Sequence, residues 1–539
     1  MKKSTKIIVK GLALGVLAVT SMSVASCKKK GGDEYTKDGK LILNLKNLYF
    51  NAWQGWDDYT AELEDKFNVK FDVSSYSWSQ WDEQVTSAAN GNNLPDVFHF
   101  DIDSYNIAQF YTNWAEGIVT KALPDDLSKW PNIQSMINNI SNVDSLKYNG
   151  KLYGLPIMKD ITSPETDFSP FTYVYRRDWA KKLGVYQEND EYTWEQFNNL
   201  LKVFSEDTTI LTDKAYALGD VEWGYPSVTN FYKNVPHCFD KDASDKVISA
   251  YSTDKYLEGL DVARKLTNEV IGTKKRKVYG YSQFAANDGD VNKEFVGNRC
   301  GVFYENLSYS NYRKLRDDLE KSNVYTKDFN IDDASAIMKV KGPDGKYVLE
   351  GTENWFSMTF FNYDISDAKM EKILDIMDWL ISEEGTTYAT YGIEGYDYTI
   401  DGTGKVVIDE SAWLRDEKGK LLEKENGAKY LRYMVTLGYD TLENDPLTDL
   451  HALEILDNWE NEMKAAKAAN QLRVLKEDGQ VKWMSTPAKD QHAGALLTNA
   501  NDDIVKYCYN EINKDKFISN VTTGNWATVL AEINAKLGK

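Results

Sequence analysis

The sequence predicts an α/β protein organised around a mainly parallel sheet. Two observations carry this: short apolar runs of strand length alternate with segments whose apolar residues recur at helical spacing, and polar and aromatic residues gather just beyond the strand-like runs. Chain length bounds the size. At 539 residues the chain suffices for two or three ordinary domains or for one large two-lobed unit.

Taken in order, Leu41 to Phe50 reads as a buried strand, and Trp56, Tyr59, Leu63 and Phe67 form a helical face behind it. Phe71 and Val73 mark a second strand, and Trp81, Val85 and Ala88 a second helical face. Asp96 to Phe100 is the third strand, with Ile107, Phe110, Tyr111 and Trp114 on a third helix. Such a β-α-β-α-β-α series implies right-handed crossovers and a parallel sheet, and open sheets of this kind bind ligands at the carboxyl ends of their strands. Further on, Tyr173 to Tyr175 reads as a strand leading into Arg176-Arg177-Asp178-Trp179, and Thr193 opens a helix carrying Trp194, Phe197 and Leu201. Met370, Ile373, Leu374, Met377, Leu380 and Ile381 predict an amphipathic helix with Gly385 as its C-terminal cap. Pro343-Asp344-Gly345 and Asp401-Gly402 read as hairpin turns. No internal repeat at solenoid or propeller period is present.

The amino end reads as an export signal. Lys2, Lys3, Lys6 and Lys10 precede an apolar stretch, Gly11 to Val24, that is too short to span a bilayer. Val24-Ala25-Ser26-Cys27 then resembles a bacterial lipobox. The expectation is a lipoprotein signal peptide over 1–26, lipidation at Cys27, and a polar tether over 27–40. The protein is then held at the outer face of the cell membrane, extracellular or periplasmic, because two or more acyl chains give stable anchoring. An ordinary secretory peptide beside a chance cysteine is the alternative.

The net charge is -20, a poor match for nucleic acid. Lipidation of Cys27 leaves Cys238, Cys300 and Cys508, an odd set and no disulfide framework. His99, His237, His451 and His492 are scattered without ligand spacing, so neither a metal nor a cofactor is expected. Fifteen tryptophans and 34 tyrosines in an otherwise polar chain point to stacking surfaces as well as core.

Several segments, in order, resemble the large lipoprotein solute-binding proteins of carbohydrate ABC transporters, related to the maltodextrin-binding type. They are LPDVFHFD (94–101), NGKLYGLP (149–156), YVYRRDWAKKLG (173–184) with YTWEQFNNLLKVF (192–204), EFVGNRCGVFYEN (294–306), and KILDIMDWLISEEG followed by YGIEGYDY (391–398). Cys300-Gly301-Val302 departs from the small residues and methionine usual there. The match runs from about Trp56 to Tyr398 and is loose from Thr399 to Lys539. The resemblance implies a two-lobed periplasmic-binding-protein fold of type II, each lobe a mixed, mainly parallel sheet flanked by helices and joined by a hinge. The amino-terminal lobe would take 41–157 and 346–388, the second lobe 158–345 and 389–539. It also implies a monomer that binds an oligosaccharide and meets ABC permease transmembrane subunits, without catalysis.

Sugars present CH faces that pack on aromatic rings and hydroxyls that need paired donors and acceptors. Asn51-Ala52-Trp53-Gln54-Gly55-Trp56-Asp57-Asp58 supplies all these types at a strand end. Trp53 is the expected platform, with Asn51 or Asp57 as polar contacts, while Trp56 equally suits the core face of the first helix. Trp78 borders the cleft in the family, whereas Trp81 belongs to a helical apolar face. Asp101 and Asp103 suit sugar hydroxyls, although acids after a strand also cap the next helix. Across the cleft stand Trp223, Tyr225, Tyr304, Glu305 and Asn306. Trp355, Tyr396 and Asp397 lie near the hinge, where packing is the competing role. Trp114, Trp130, Trp179, Trp194 and Trp379 fall on core patterns.

Lys274-Lys275-Arg276-Lys277 reads as a solvated loop, or else as a docking point for an anionic glycan or an acidic permease loop. Asp288, Asp290 and Asn292 open like a calcium loop, but Lys293 and Arg299 replace its glycine and closing glutamate. A surface glycoside hydrolase is the alternative function, with Asp101 and Glu305 as its carboxylates. Ser252 to Lys255 matches Ser-x-x-Lys only as a short chance pattern. A binding protein for peptides or another non-sugar solute is a third reading.

Overall fold

A computed structural model describes residues 34–539 apart from 54–56, 78–79, 104, 160–167, 208–215, 221–225, 272–275, 279–289, 323–329, 416–425 and 438–447. The signal peptide, Cys27 and the first part of the tether lie outside the described residues. Ten strands form two five-stranded sheets: β1 (Leu41–Asn47), β2 (Val69–Ser75), β3 (Val97–Phe100), β4 (Leu155–Met158), β5 (Phe171–Tyr175), β6 (Glu191–Tyr192), β7 (Tyr216–Asp220), β8 (Cys300–Asn306), β9 (Ala336–Val340) and β10 (Trp355–Phe361).

The first sheet has the order β2-β1-β3-β10-β4 and the second β6-β9-β5-β8-β7. β1 runs parallel to β2 and β3, whereas β10 is antiparallel to β3 and β4. In the second sheet β5 is antiparallel to β8 and β9, which run parallel to β7 and β6. Each sheet is therefore mainly parallel, with one reversed strand. That strand is the one reached by a crossing from the other lobe: β5 after β4, and β10 after the Tyr347–Glu350 strand.

The expected β-α series is present. Helix α1 (Asp58–Phe67) ends at Asn68, held at φ 52°, and α2 (Trp81–Asn90) carries Trp81 and Val85 to the core. The third helix begins as a π turn over Ala108–Thr112 and continues to Glu116. Thr193 caps the helix Trp194–Glu206 in a reciprocal box with Gln196. Gly385 is not a cap, because Ser382 ends the helix Asp367–Ile381 and caps the next one, Glu383–Tyr391. A Cβ on Gly385 would collide with the Trp379 carbonyl, so the glycine serves this close approach of two helices.

The first lobe's core gathers Leu43, Val69, Phe98, Met358, Phe360 and Leu374. It also takes Ala428, Tyr430, Leu431, Met434 and Val435, which the sequence assigned to the second lobe. These residues return because Met158 and Val435 share a backbone bond of 3.1 Å and Thr436 bridges Met158. The helices Pro487–Cys508 and Asn525–Lys536 join the second lobe's core through Leu496, Ile504, Trp526 and Val529. Among the described residues, backbone at Met158–Lys159, Asn354 and Thr436–Leu437 meets between the lobes. Lys159 N–H donates to the Asn354 carbonyl at 3.0 Å, Leu437 to Met158 at 2.8 Å, and Tyr347–Glu350 pairs in parallel with Leu472–Leu475. Trp114, Trp130 and Trp179 are buried; Trp194 and Trp379 pack on the cores while half-buried. The three described cysteines are buried, and none of them is in a disulfide. Among the described residues no helix is long and apolar enough to cross a membrane.

Candidate functional site

The carboxyl ends of β1, β2 and β3 lie side by side, so the chain leaves the first sheet three times at one edge. At the end of β1, Asn47 accepts the Tyr49 amide at 2.9 Å and donates to the Tyr433 carbonyl at 3.3 Å, turning the chain into the 3₁₀ turn Leu48–Ala52. Asn51 lies in that turn; its side chain is outside the described set, as are Trp56, Trp78, Trp223 and Tyr225.

Trp53 is 8 % exposed, stands edge-on to Phe50 and stacks on Tyr430. The expected platform is thus a core ring, because a C-terminal residue that the strand pattern did not place covers its face. Asp57 caps α1, accepting the Thr60 amide at 2.6 Å and its hydroxyl at 2.9 Å, so the cap replaces the expected polar contact.

Asp103 is likewise engaged, accepting the amides of Tyr105 at 2.7 Å and Asn106 at 2.9 Å. Asp101 differs. It is half-buried, and no described group hydrogen-bonds its carboxyl, the Asn106 amide instead reaching its backbone carbonyl at 3.0 Å. Burial first, with the neighbouring Asp103 and Asp82 acting in the same direction, pushes its pKa up to about 7. Near neutral pH such a carboxyl both donates and accepts, as a sugar hydroxyl does.

Two residues before Asp101, on β3, the fully buried His99 lies between Tyr49, at 5.8 Å, and Trp81, at 4.8 Å between ring centres, and hydrogen-bonds Ser357. Burial holds its pKa down at about 3, so the ring is neutral. Trp81 donates its indole N–H to the His99 carbonyl at 2.9 Å. Tyr433 stacks on the other side of Tyr49 at 4.8 Å. His99 has no role legible in the sequence, since a lone histidine in an apolar strand carries no spacing signal.

In the second lobe, β8 delivers Tyr304, Glu305 and Asn306 to its carboxyl end. Tyr304 stacks on Phe171 at 5.8 Å and its hydroxyl accepts from Asn230 at 3.1 Å. Glu305 accepts the Asn306 amide at 2.7 Å, and the Asn306 side chain accepts the Ser308 amide at 3.0 Å. All three are half-buried.

Near the hinge, Trp355 is 5 % exposed and its ring centre lies 6.3 Å from that of Trp483. Both indole N–H groups are buried without a hydrogen-bond partner among the described residues. Tyr396 is 67 % exposed on a turn away from these rings, whereas Asp397 is fully buried. Asp397 accepts from Tyr59 at 3.0 Å and from the Ile393 amide at 2.8 Å, so it fixes a turn rather than meeting a ligand. Arg276–Lys277 pairs with Val270–Ile271 as a short ribbon, while Lys274, Lys275 and Asp288 lie outside the described residues. Among the described residues no cluster of three His, Cys, Asp or Glu has metal-ligand geometry.

No family model matches the chain. It is 22 % identical over 411 residues to the polygalacturonan/rhamnogalacturonan-binding protein YtcQ of Bacillus subtilis (strain 168), covering 73 % of this chain and 74 % of that protein. Among solved structures, alginate-binding protein AlgQ2 without calcium ion aligns over 94 % of this chain and 100 % of its own, with a TM-score of 0.64 at 15 % identity. An HMO-binding, ABC-transporter-associated solute-binding protein of Bifidobacterium longum infantis ATCC 15697 aligns over 93 % and 100 %, with a TM-score of 0.59 at 15 % identity. The chain has the two-lobed type II fold of solute-binding proteins.

Proposed function

We propose that this protein is the solute-binding component of an ABC importer, which captures an oligosaccharide between its lobes and delivers it to the membrane permease. One observation carries the reading furthest. In the first lobe, caps and turns occupy Asp57 and Asp103, while Asp101, just past the end of β3, keeps its carboxyl free of hydrogen bonds to described groups. An uncommitted carboxyl suits a sugar hydroxyl, and the half-buried rings of Tyr49 and Tyr304 suit its CH faces. Tyr304, Glu305 and Asn306 face the ligand from the second lobe in this reading, and Asn51, Trp78 and Trp223 complete it from their loops.

Capture needs no chemistry. The ligand binds the first lobe, and rotation about the hinge buries it between both, stabilised by contacts made only in the closed state. Lobes of 41–157 with 346–388, and 158–345 with 389–539, remain the proposed division except for the Ala428–Val435 contribution to the first core. Cys27 anchors the protein by lipid at the outer membrane face, with 28–40 as tether. The relatives' named ligands set the test panel. Isothermal titration of the delipidated protein with polygalacturonan, rhamnogalacturonan and alginate oligomers and human milk oligosaccharides should give saturable heat with at least one. Release of chromophore from aryl glycosides by the purified protein would instead favour hydrolysis.

A further inference from the structure

One side chain of the first lobe is buried in the second. Tyr105 leaves the turn after β3, and its neighbours Ile102 and Tyr111 belong to the first lobe's core. Tyr105 itself, 7 % exposed, belongs to the second lobe's core with Cys238, Phe239, Tyr251, Met484 and Leu496. Its ring lies 6.2 Å from Phe239 at 25° and edge-on to His237 at 5.9 Å. Its hydroxyl donates to Glu477 and accepts the Cys238 amide at 3.4 Å, and Glu477 also accepts the Phe239 amide at 3.4 Å. The anchor therefore reaches the His237–Phe239 stretch, which leads into the strand Phe239–Lys241, and the Glu477 segment, both outside the first sheet.

The turn that carries Tyr105 is braced internally. Asp103 accepts the amides of Tyr105 and Asn106, the Asn106 side chain accepts the Asp103 amide at 2.9 Å, and its NH₂ donates to the Asp101 carbonyl at 3.0 Å. Hydrogen bonds thus link Asp103, Tyr105 and Asn106 to the Asp101 backbone.

We propose that Tyr105 is a positioning residue of the ligand site: seated in the second lobe, it sets where Asp101 stands in the cleft without itself touching ligand. The proposal rests on reading the cleft as the oligosaccharide site. Recognition by a few polar groups requires them to be held within about 0.5 Å of the productive geometry, and a turn at the edge of a sheet gains that rigidity from an anchor in a packed core. The loosely matching C-terminal region acquires a role here, since Glu477, Met484 and Leu496 form the socket.

The full chain is compared with its Tyr105→Phe, Tyr105→Ala and Tyr251→Phe variants. Tyr251 is the control, 2 % exposed in the same core with its hydroxyl 4.0 Å from the Cys238 sulfur. In the unliganded proteins, hydrogen exchange at amides 103 and 105–106 should accelerate in both Tyr105 variants and stay unchanged in Tyr251→Phe. With the panel oligomer that gives heat, Tyr105→Phe should bind about 3- to 10-fold more weakly, the worth of one hydrogen bond, and Tyr105→Ala more weakly still. Tyr251→Phe should keep wild-type affinity. If Tyr105→Phe and Tyr251→Phe match in exchange and in affinity, the proposal is overturned. Absence of heat from the wild type with every oligomer overturns the oligosaccharide reading alone, and the exchange comparison then decides the positioning.

Discussion

Trp53 and Tyr430 stack with ring centres 6.0 Å apart and planes 8° from parallel. The pair joins the end of β1 to a helix, Gly427–Arg432, almost four hundred residues later, and so builds the first lobe's core from both ends of the chain. Gly427 permits the approach, because a Cβ there would collide with the Thr60 hydroxyl and lie 3.1 Å from the Trp53 ring. Trp53→Ala should lower the unfolding free energy by about 3–5 kcal/mol, the range for deleting a buried large aromatic, and Gly427→Ala by about 1–3 kcal/mol through overpacking. Urea unfolding measures both. Unchanged stability in Trp53→Ala together with lost sugar binding would return Trp53 to the role of platform.

Asp397 should behave as a structural acid. Replacing it with Ala strands the Tyr59 hydroxyl and the Ile393 amide, at a cost of about 1–3 kcal/mol for buried groups left unpaired. Gly392, at φ 94° with Asp397 against its Cα, should tolerate no side chain. Thermal unfolding of Asp397→Ala is expected to shift downward while oligosaccharide affinity holds. A drop in affinity at unchanged stability would reverse the assignment.

The β-α series was legible because burial imposes a period. Leu41, Leu43 and Leu45 alternate with half-buried neighbours along β1, and Leu63 and Phe67 sit one helical turn apart. The reversed strands were not legible from periodicity, since Trp355–Phe361 shows the same apolar run whichever way it runs. The site was legible in residue type but not in occupancy. Asp57, Asp101, Asp103 and Asp397 look alike in sequence, and only the positions of Thr60, Tyr105 and Tyr59 decide which carboxylates are already taken. Glu477 and Trp483 were invisible because their partners, Tyr105 and Trp355, lie far away in the chain.

Gly301 meets the second lobe's core directly. A Cβ there would lie 2.8 Å from Phe204 Cε2 and 3.3 Å from Trp179 Cζ3. Gly301→Ala should cost about 1–3 kcal/mol, since both rings are packed and nearly fully buried. Differential scanning calorimetry of the variant tests this. A melting temperature equal to wild type would mean that the Phe204 ring turns aside freely.

Asp101 should impose a pH dependence of definite sign. Its folded pKa, about 7, lies above the ordinary 3.8, so the folded state holds the proton more tightly than the unfolded chain does. Its contribution to stability is complete below about pH 4, falls as pH rises through about 7, and is constant above. Asp101→Asn should therefore flatten the fall in melting temperature between about pH 5 and about pH 8 and melt above wild type at the upper end. If the variant keeps the wild-type slope, the carboxyl is not the group that titrates. Asn at 101 should also weaken oligosaccharide binding most at high pH, where the carboxylate's acceptor capacity is lost.

Trp355 offers a way to separate hinge packing from ligand contact, because its ring and its N–H make opposite contributions. The ring packs near Trp483 in a buried position, while the N–H is buried with no partner among the described residues and so disfavours the folded state. Trp355→Phe removes the donor and keeps an aromatic ring, although it leaves some of the indole's volume empty. Loss of the stranded donor, about 1–3 kcal/mol in favour of the variant, opposes the loss of packed volume, so the net change in stability should be small. Trp355→Ala removes the ring as well and should cost about 3–5 kcal/mol. If packing is the whole role, Trp355→Phe binds oligosaccharide as wild type does. If the N–H meets a ligand hydroxyl on closure, the same variant should lose about 3- to 10-fold in affinity, the worth of one hydrogen bond, while its unfolding midpoint barely moves. Paired titration and urea unfolding of the two variants distinguish these outcomes, and a Phe variant as unstable as the Ala variant would show that the indole's full volume is what the hinge requires.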